Sequence, residues 1–358
     1  MHLARVAGEN FRLFERFELA PGPRLNLILG PNASGKTSLL EAIYALGRGR
    51  SFRAASPEIA GAQGAHWWVH GRIAEAGAAD HLLGIGWAPA GTQLRLDQAD
   101  VGVLDLVRRL PVQVLEPESH RLLEDGPAYR RRYLDWGVFH VEQRFYEAWR
   151  RYQRALKQRN HSLKSAESRT EIESWNAELA AAGEEVHAHR VAHCAALCQS
   201  LGEAIGRLLG PVEWTLELAA GWPAHKTLAD ALADHLEQDV RQAKTLAGPH
   251  RAELRLKLAG RSAKRQVSRG QQKLLVGALL LTQASLVARH SGSAPILLVD
   301  DFPAELGRPY QAALLALLQD YPGQVFVTAI EATEALKARR ESPVFHVEHG
   351  RVDGAKRV

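Results

Sequence analysis

Several features common in secreted and membrane proteins are scarce in this chain. Only two of its 358 residues are cysteine, too few for a disulfide framework. No apolar run approaches the ~20 residues of a membrane span, and the most hydrophobic stretch, Leu274 to Leu281, is bounded by charge. The first residues are polar and basic, without a signal-peptide pattern. There is no internal repeat and no low-complexity linker. No Asn-Lys pair occurs anywhere, which excludes the Asn-Lys-x-Asp base-reading segment of a GTPase. Zinc fingers, RNP boxes and evident recognition helices are also missing. These absences predict a reduced, cytoplasmic, soluble protein without a membrane partner.

What is present points to a sizeable core, with 46% apolar and 24% charged residues. The net charge of +5 is mildly basic, as in many nucleic-acid binders. Three stretches differ in character. Residues 1–117 mix strand and helix patterns: Arg24–Gly30 is an apolar run ending in glycine, Lys36–Leu46 reads as a helix, and Trp67–Ile73 and Leu82–Trp87 as strands. Residues 118–244 are helix-forming. Val138, Val141, Phe145, Trp149, Tyr152 and Leu156 recur at helical spacing, and further helix is expected from Glu171 to Leu209 and Leu228 to Leu246. Residues 245–358 return to the mixed pattern, with strands at Ala252–Leu258, Pro295–Asp300 and Gln324–Ile330, a helix at Lys273–Arg289 and a closing hairpin at Phe345–Val352. One discontinuous α/β head from 1–117 and 245–358, carrying a helical lobe at 118–244, is the expected organisation.

Three motifs carry chemistry. Gly30-Pro31-Asn32-Ala33-Ser34-Gly35-Lys36-Thr37, followed by Ser38, fits the phosphate-loop pattern at every fixed position and sits between a strand and a helix. Backbone amides there would cradle the phosphates of ATP, Lys36 would neutralise them, and Thr37 would offer its hydroxyl to Mg²⁺. Ile296–Val299 is an apolar strand ending in Asp300 and Asp301. Asp300 would hold Mg²⁺, and Asp301 would orient or deprotonate the attacking water. Ser268-Arg269-Gly270-Gln271 precedes a long helix; alone it is a helix cap.

Taken together the three resemble the ABC-type ATPases, a fold with a mixed sheet, an antiparallel N-terminal part and an inserted helical lobe. The resemblance makes Ser268–Gln271 a signature segment that covers the nucleotide of a second subunit. Gln113 corresponds to the Q-loop glutamine, which senses Mg²⁺ and the attacking water. Pro303–Gly307 matches the D-loop, and Thr328 the switch position. A transporter subunit is the alternative reading, but it has a much shorter separation than that of Lys36 from Ser268. The chromosome-structure ATPases have a far longer insert.

More closely, and over nearly its whole length, the chain resembles the RecF family of bacterial recombinational-repair proteins. The matching segments include Asn10–Phe14, the phosphate loop, Leu39–Arg53, Pro111–Glu118, Arg131–His140, Leu156–Asn160, Gly248–Arg251, Ser268–Gln271 and Asp300-Asp301. The resemblance implies ATP-dependent DNA binding, dimerisation around two ATP molecules and slow, DNA-dependent hydrolysis. It also implies work with a RecR-type mediator that helps load a RecA-type recombinase at single-stranded gaps. Arg12 would lie near the nucleotide. Ala33 and Gly307 depart from the usual glycine and aspartate. Ala33 must keep a negative φ or accept strain.

For DNA, the candidates are Arg130 and Arg131, opening the lobe, and Arg150, Arg154 and Lys157 on one face of the next helix. Such contacts would recognise duplex or junction DNA through its backbone, without regard to sequence. His187, His189, His193, Cys194 and Cys198 do not converge on one metal from a single helix. His250 is open to either a structural or a ligand-contacting role.

Overall fold

The structure, a computed structural model, describes every residue except 61–63, 65, 76, 167, 303–305, 334–335, 337–341 and 358. It divides into two compact units, residues 1–119 with 273–358, and residues 120–272.

The first unit holds two six-stranded sheets. One is antiparallel, with spatial order Phe14–Leu19, His2–Phe11, Trp67–Ala74, His81–Ala88, Gly91–Leu96 and Ala99–Asp100. Trp67–Ala74 alternates between buried and open positions, as a strand with one covered face must. The other sheet runs Arg351–Arg357, Pro343–Glu348, Leu25–Leu29, Val325–Ala329, Ile296–Val299 and Val112–Leu115. The five strands from Pro343–Glu348 to Val112–Leu115 are mutually parallel, and only the edge strand Arg351–Arg357 pairs antiparallel. Leu25–Leu29, Ile296–Val299 and Val325–Ala329 are buried at every position, the mark of parallel strands covered on both faces.

The phosphate-loop helix, Lys36–Arg48, is buried from Ser38 through Gly47. Its apolar side chains share one core with both sheets, from Leu3 and Trp67 to Ile28 and Phe326. Gln324 ties the two sheets together: its amide accepts from the Leu3 N–H at 2.8 Å and donates to the Leu3 carbonyl at 2.9 Å. The helix Arg269–Ser291 begins one turn earlier than the sequence pattern suggests. By length and mean hydropathy (1.3) it would span a bilayer, yet 67% of that apolar stretch is buried inside the protein. It is a core helix.

The second unit is built on the helices Pro127–Val141, Phe145–Lys164 and Asn176–Leu209 with a three-stranded sheet. The apolar period from Val138 to Leu156 belongs to two helices, because Glu142–Arg144 interrupts the run. The expected lobe boundary near 245 is corrected to 272. The strand Glu253–Leu258 pairs antiparallel with Trp214–Ala219 over six residues, so its ladder ties it to the lobe.

A buried polar network organises this unit. Arg159, fully buried, donates to Asp239 at 2.7 Å, to Thr245 Oγ1 at 2.8 Å and to Asn176 at 2.8 Å. His250 resolves as structural. Its Nε2 faces the Thr245 carbonyl at 3.0 Å and so carries the proton, leaving Nδ1 to accept from the Tyr152 hydroxyl at 2.5 Å. Burial lowers the His250 pKa to about 4, against a smaller upward pull from its bond to Thr245.

The unfolded chain therefore binds a proton at His250 more readily than the folded chain. Stability from this site is complete above pH 6.5 and falls as the pH drops towards 4, by roughly 3 kcal/mol at most. Urea unfolding across that window should show a steeper loss in the wild-type protein than in His250→Gln. Parallel pH profiles would refute the assignment.

Candidate functional site

Parallel pairing brings the carboxyl ends of the inner strands to one edge, the position where open α/β sheets bind ligands. Leu25–Leu29 ends at Gly30, Ile296–Val299 at Asp300, Val112–Leu115 at Glu116, and Thr328 is the penultimate residue of Val325–Ala329. Thr37 Oγ1 lies 3.0 Å from both carboxylate oxygens of Asp300. Thr328 Oγ1 donates to Asp300 Oδ1 at 2.7 Å and accepts from the Asp301 N–H at 2.7 Å. One buried hydroxyl thus bridges the two acids. Asp301 adopts a φ of +53°, an uncommon conformation that turns the chain sharply at the strand end.

Burial raises the pKa of Asp300. The hydrogen bonds from Thr328 and Thr37 oppose that rise, and the neighbouring Asp301 charge adds to it. Lys36 is shifted the other way: burial lowers its pKa, and Asp301 and Asp300 partly restore it. Its amine donates to the carbonyls of Gly30 (2.7 Å) and Pro31 (2.8 Å), folded back on its own loop.

The loop is clamped by segments far away in sequence, which sequence reasoning did not find. A Cβ on Gly35 would lie 2.6 Å from the Phe14 ring, and one on Gly30 would lie 2.1 Å from the Val347 carbonyl oxygen. The Gly350 N–H donates to the Ser34 carbonyl at 3.2 Å. Ser34 Oγ is buried with no hydrogen-bond partner among the described residues. Pro31, Asn32 and Ala33 are exposed at the tip, and Ser38 is buried. Ala33 takes the strained alternative, with φ +60°.

Arg12 makes a bidentate ion pair with Glu41 of the phosphate-loop helix, at 2.6 and 3.0 Å. Glu41 is fully buried and also accepts from Ser51. Gln113 is not brought to the acids. It is buried earlier in its strand, opposite Leu297, and Glu116 stands at the strand end instead. In the second unit, Ser268 caps its helix reciprocally: its N–H donates to Gln271 Oε1 at 3.0 Å, and its Oγ accepts from the Gln271 N–H at 3.4 Å. Ser268 and Arg269 are exposed, and Gly270 is partly so. Of the expected D-loop, Pro303, Ala304 and Glu305 lie outside the described residues; Gly307 caps the helix Arg308–Asp320.

The basic candidates separate into two groups. Arg130 is paired with Glu253 at 2.6 Å and also donates to the carbonyls of Leu122 and Asp125, while Arg131 donates to the Ala252 carbonyl at 2.8 Å. Both are therefore held by partners within the second unit. Arg150, Arg154 and Lys157 are exposed along one helix. No metal-binding cluster occurs among the described residues.

An L-residue held at positive φ costs ~1–2 kcal/mol, partly offset by the greater unfolded-state freedom of glycine. Ala33→Gly should accordingly leave stability unchanged or raise it by up to about 1 kcal/mol, read from urea unfolding. A clear loss would contradict the loop conformation. Gly35→Ala should destabilise by driving a methyl into Phe14.

A family model described as an AAA domain matches residues 5–59. The chain is 42% identical to the DNA replication and repair protein RecF of Azotobacter vinelandii, over 98% of both chains. It is 40% identical to the protein of the same name from Pseudomonas aeruginosa, over 98% of this chain and 97% of the relative. Among solved structures it resembles the recombination mediator protein RecF-ATP of the RecFOR pathway, with TM-score 0.87 at 23% identity, covering 98% and 97% of the two chains. It also resembles the SmcHead bound to the C-winged helix domain of ScpA, with TM-score 0.60 at 12% identity, covering 100% and 98% of the two chains. At those identities the two structures speak for the fold, an ATPase head of the ABC and SMC type.

Proposed function

The chain belongs to the RecF family of DNA replication and repair proteins, and we propose that it is an ATP-gated, DNA-binding switch of recombinational repair. The observation that carries this reading is the hydrogen-bonded cluster of Thr37, Asp300, Thr328 and Asp301 beside the phosphate loop. The residues fit a nucleoside triphosphate. The loop supplies amides at a helix N-terminus, a lysine amine bonded to loop carbonyls, and a buried Ser34 hydroxyl that lacks a partner among the described residues. Thr37 and Asp300 would hold Mg²⁺, which when bound offsets negative charge on the phosphate oxygens.

The chain's own residues do the rest. Lys36 leaves its loop carbonyls for the phosphate oxygens. Asp301 takes the proton of the attacking water as the new P–O bond forms and the bond to ADP breaks. Thr328 holds the two acids in register throughout. Arg12, anchored on Glu41 of the loop helix, would approach the nucleotide from beside that helix. Ser268, Arg269, Gly270 and Gln271 of a second copy cover the γ-phosphate, so ATP closes a homodimer and slow hydrolysis opens it. The exposed Arg150, Arg154 and Lys157 meet DNA phosphates, giving binding without sequence preference. By family, the closed form works with a RecR-type mediator to place a RecA-type recombinase at gaps in the cytoplasm.

Fluorescence anisotropy of a labelled duplex, with ATP, ADP or no nucleotide, tests the switch. Tighter binding with ATP alone is expected; equal binding in all three would sink it. Lys36→Ala should abolish ATP binding, whereas Ser268→Ala should spare it and block ATP-induced dimerisation. Reversing the charge of Arg150, Arg154 and Lys157 together should lower the slope of log affinity against log salt by about 3. Arg130→Ala should destabilise the fold instead of altering that slope.

A further inference from the structure

The acids at 300 and 301 need a second polar partner for water, and the strand register identifies it. In Val112–Leu115, Gln113 lies opposite Leu297. It lines an apolar cavity of about 10 Å³ with Gly277, Leu280, Leu281 and Leu318, and its side-chain carbonyl has no partner among the described residues. The Asp300 N–H donates to the Leu115 carbonyl at 2.8 Å, so the first side chain past that bond is Glu116. A tight turn fixes its backbone: the Glu116 N–H donates to Ser119 Oγ at 2.8 Å, and the Ser119 N–H returns to the Glu116 carbonyl at 2.9 Å. Glu116, Asp300, Asp301 and Lys273 line one cavity of about 30 Å³, room for about two waters.

We propose that Glu116 is a catalytic residue of ATP hydrolysis, holding the attacking water opposite Asp301 in the place that sequence alone gives to Gln113. The inference rests on the ATPase reading above. The water donates one hydrogen bond to Glu116, which fixes the direction of its lone pair. Its other proton passes to Asp301 as the oxygen bonds to the γ-phosphorus, and the bridging oxygen leaves with ADP and the electron pair of the broken bond. Lys273, on the cavity wall, offsets the charge of three carboxylates around so small a volume.

Single-turnover hydrolysis with the full chain in excess over labelled ATP, together with mant-ATP affinity and trapping of ADP–aluminium fluoride, tests the assignment. Glu116→Ala should lower the rate about 10- to 100-fold and lose trapping, with mant-ATP affinity unchanged. Glu116→Gln, which still accepts a hydrogen bond, should recover part of both. Gln113→Leu should stay within about twofold of the wild type, because leucine suits its apolar surroundings. Wild-type turnover by Glu116→Ala, a loss of ATP affinity in parallel with rate, or the large defect appearing in Gln113→Leu would each overturn the proposal. Failure of the broader reading looks different: wild-type protein that binds no mant-ATP, or Lys36→Ala that binds it equally well.

Discussion

A carboxylate taken out of water must find donors, and Asp300 finds two hydroxyls. Thr37 comes from the phosphate-loop helix and Thr328 from the neighbouring strand. Each is placed by the register of the parallel sheet, in which Val299 lies beside both Val327 and Leu115. Because side chains alternate along a strand, a slip of one residue would point Thr328 away from both acids. The order of strands, the buried loop helix and the strained turn at Asp301 all serve the same local requirement. Burial still raises the pKa of Asp300, with the two hydroxyl hydrogen bonds opposing that rise.

The sequence exposed the parts of this arrangement that depend on local chemistry. Gly30–Thr37 needs glycines and a lysine at fixed spacing, and the fully apolar strands around it are short, continuous and bounded by turns. Distant pairings were not legible. Arg130 and Arg131 look like any basic helix start until Glu253 and Ala252, over a hundred residues on, are seen to face them. The strand Trp214–Ala219 lies between two glycine-proline breaks and shows only six residues of alternation, so the lobe's sheet and its boundary at 272 were missed. Whether position 113 or 116 reaches the strand end is a question of register, which a short apolar run does not encode.

The second unit separates charge that holds it together from charge that is exposed. Arg159 and Asp239 are both fully buried and hydrogen-bonded on several sides. Such a pair adds little net stability when intact but is costly to break, about 3–5 kcal/mol. It fixes one arrangement of the helices rather than deepening their stability. The same helix, Phe145–Lys164, carries Arg159 inward and Arg150, Arg154 and Lys157 outward. The helix thus keeps its buried cation on one face and its exposed cations on the other.

The hairpin at 343–357 has a consequence in time as well as in space. The phosphate loop packs against the Val347 carbonyl and accepts from the Gly350 N–H, yet it is translated near the start of the chain. At about 5–20 residues per second, a ribosome spends many seconds between making the loop and making the strand that secures it. Throughout that interval the nascent protein carries a complete nucleotide-binding motif without a complete site. The signature and acidic motifs also emerge before that strand. Synthesis order therefore leaves the phosphate loop without its hairpin contacts until residues 343–357 have been made.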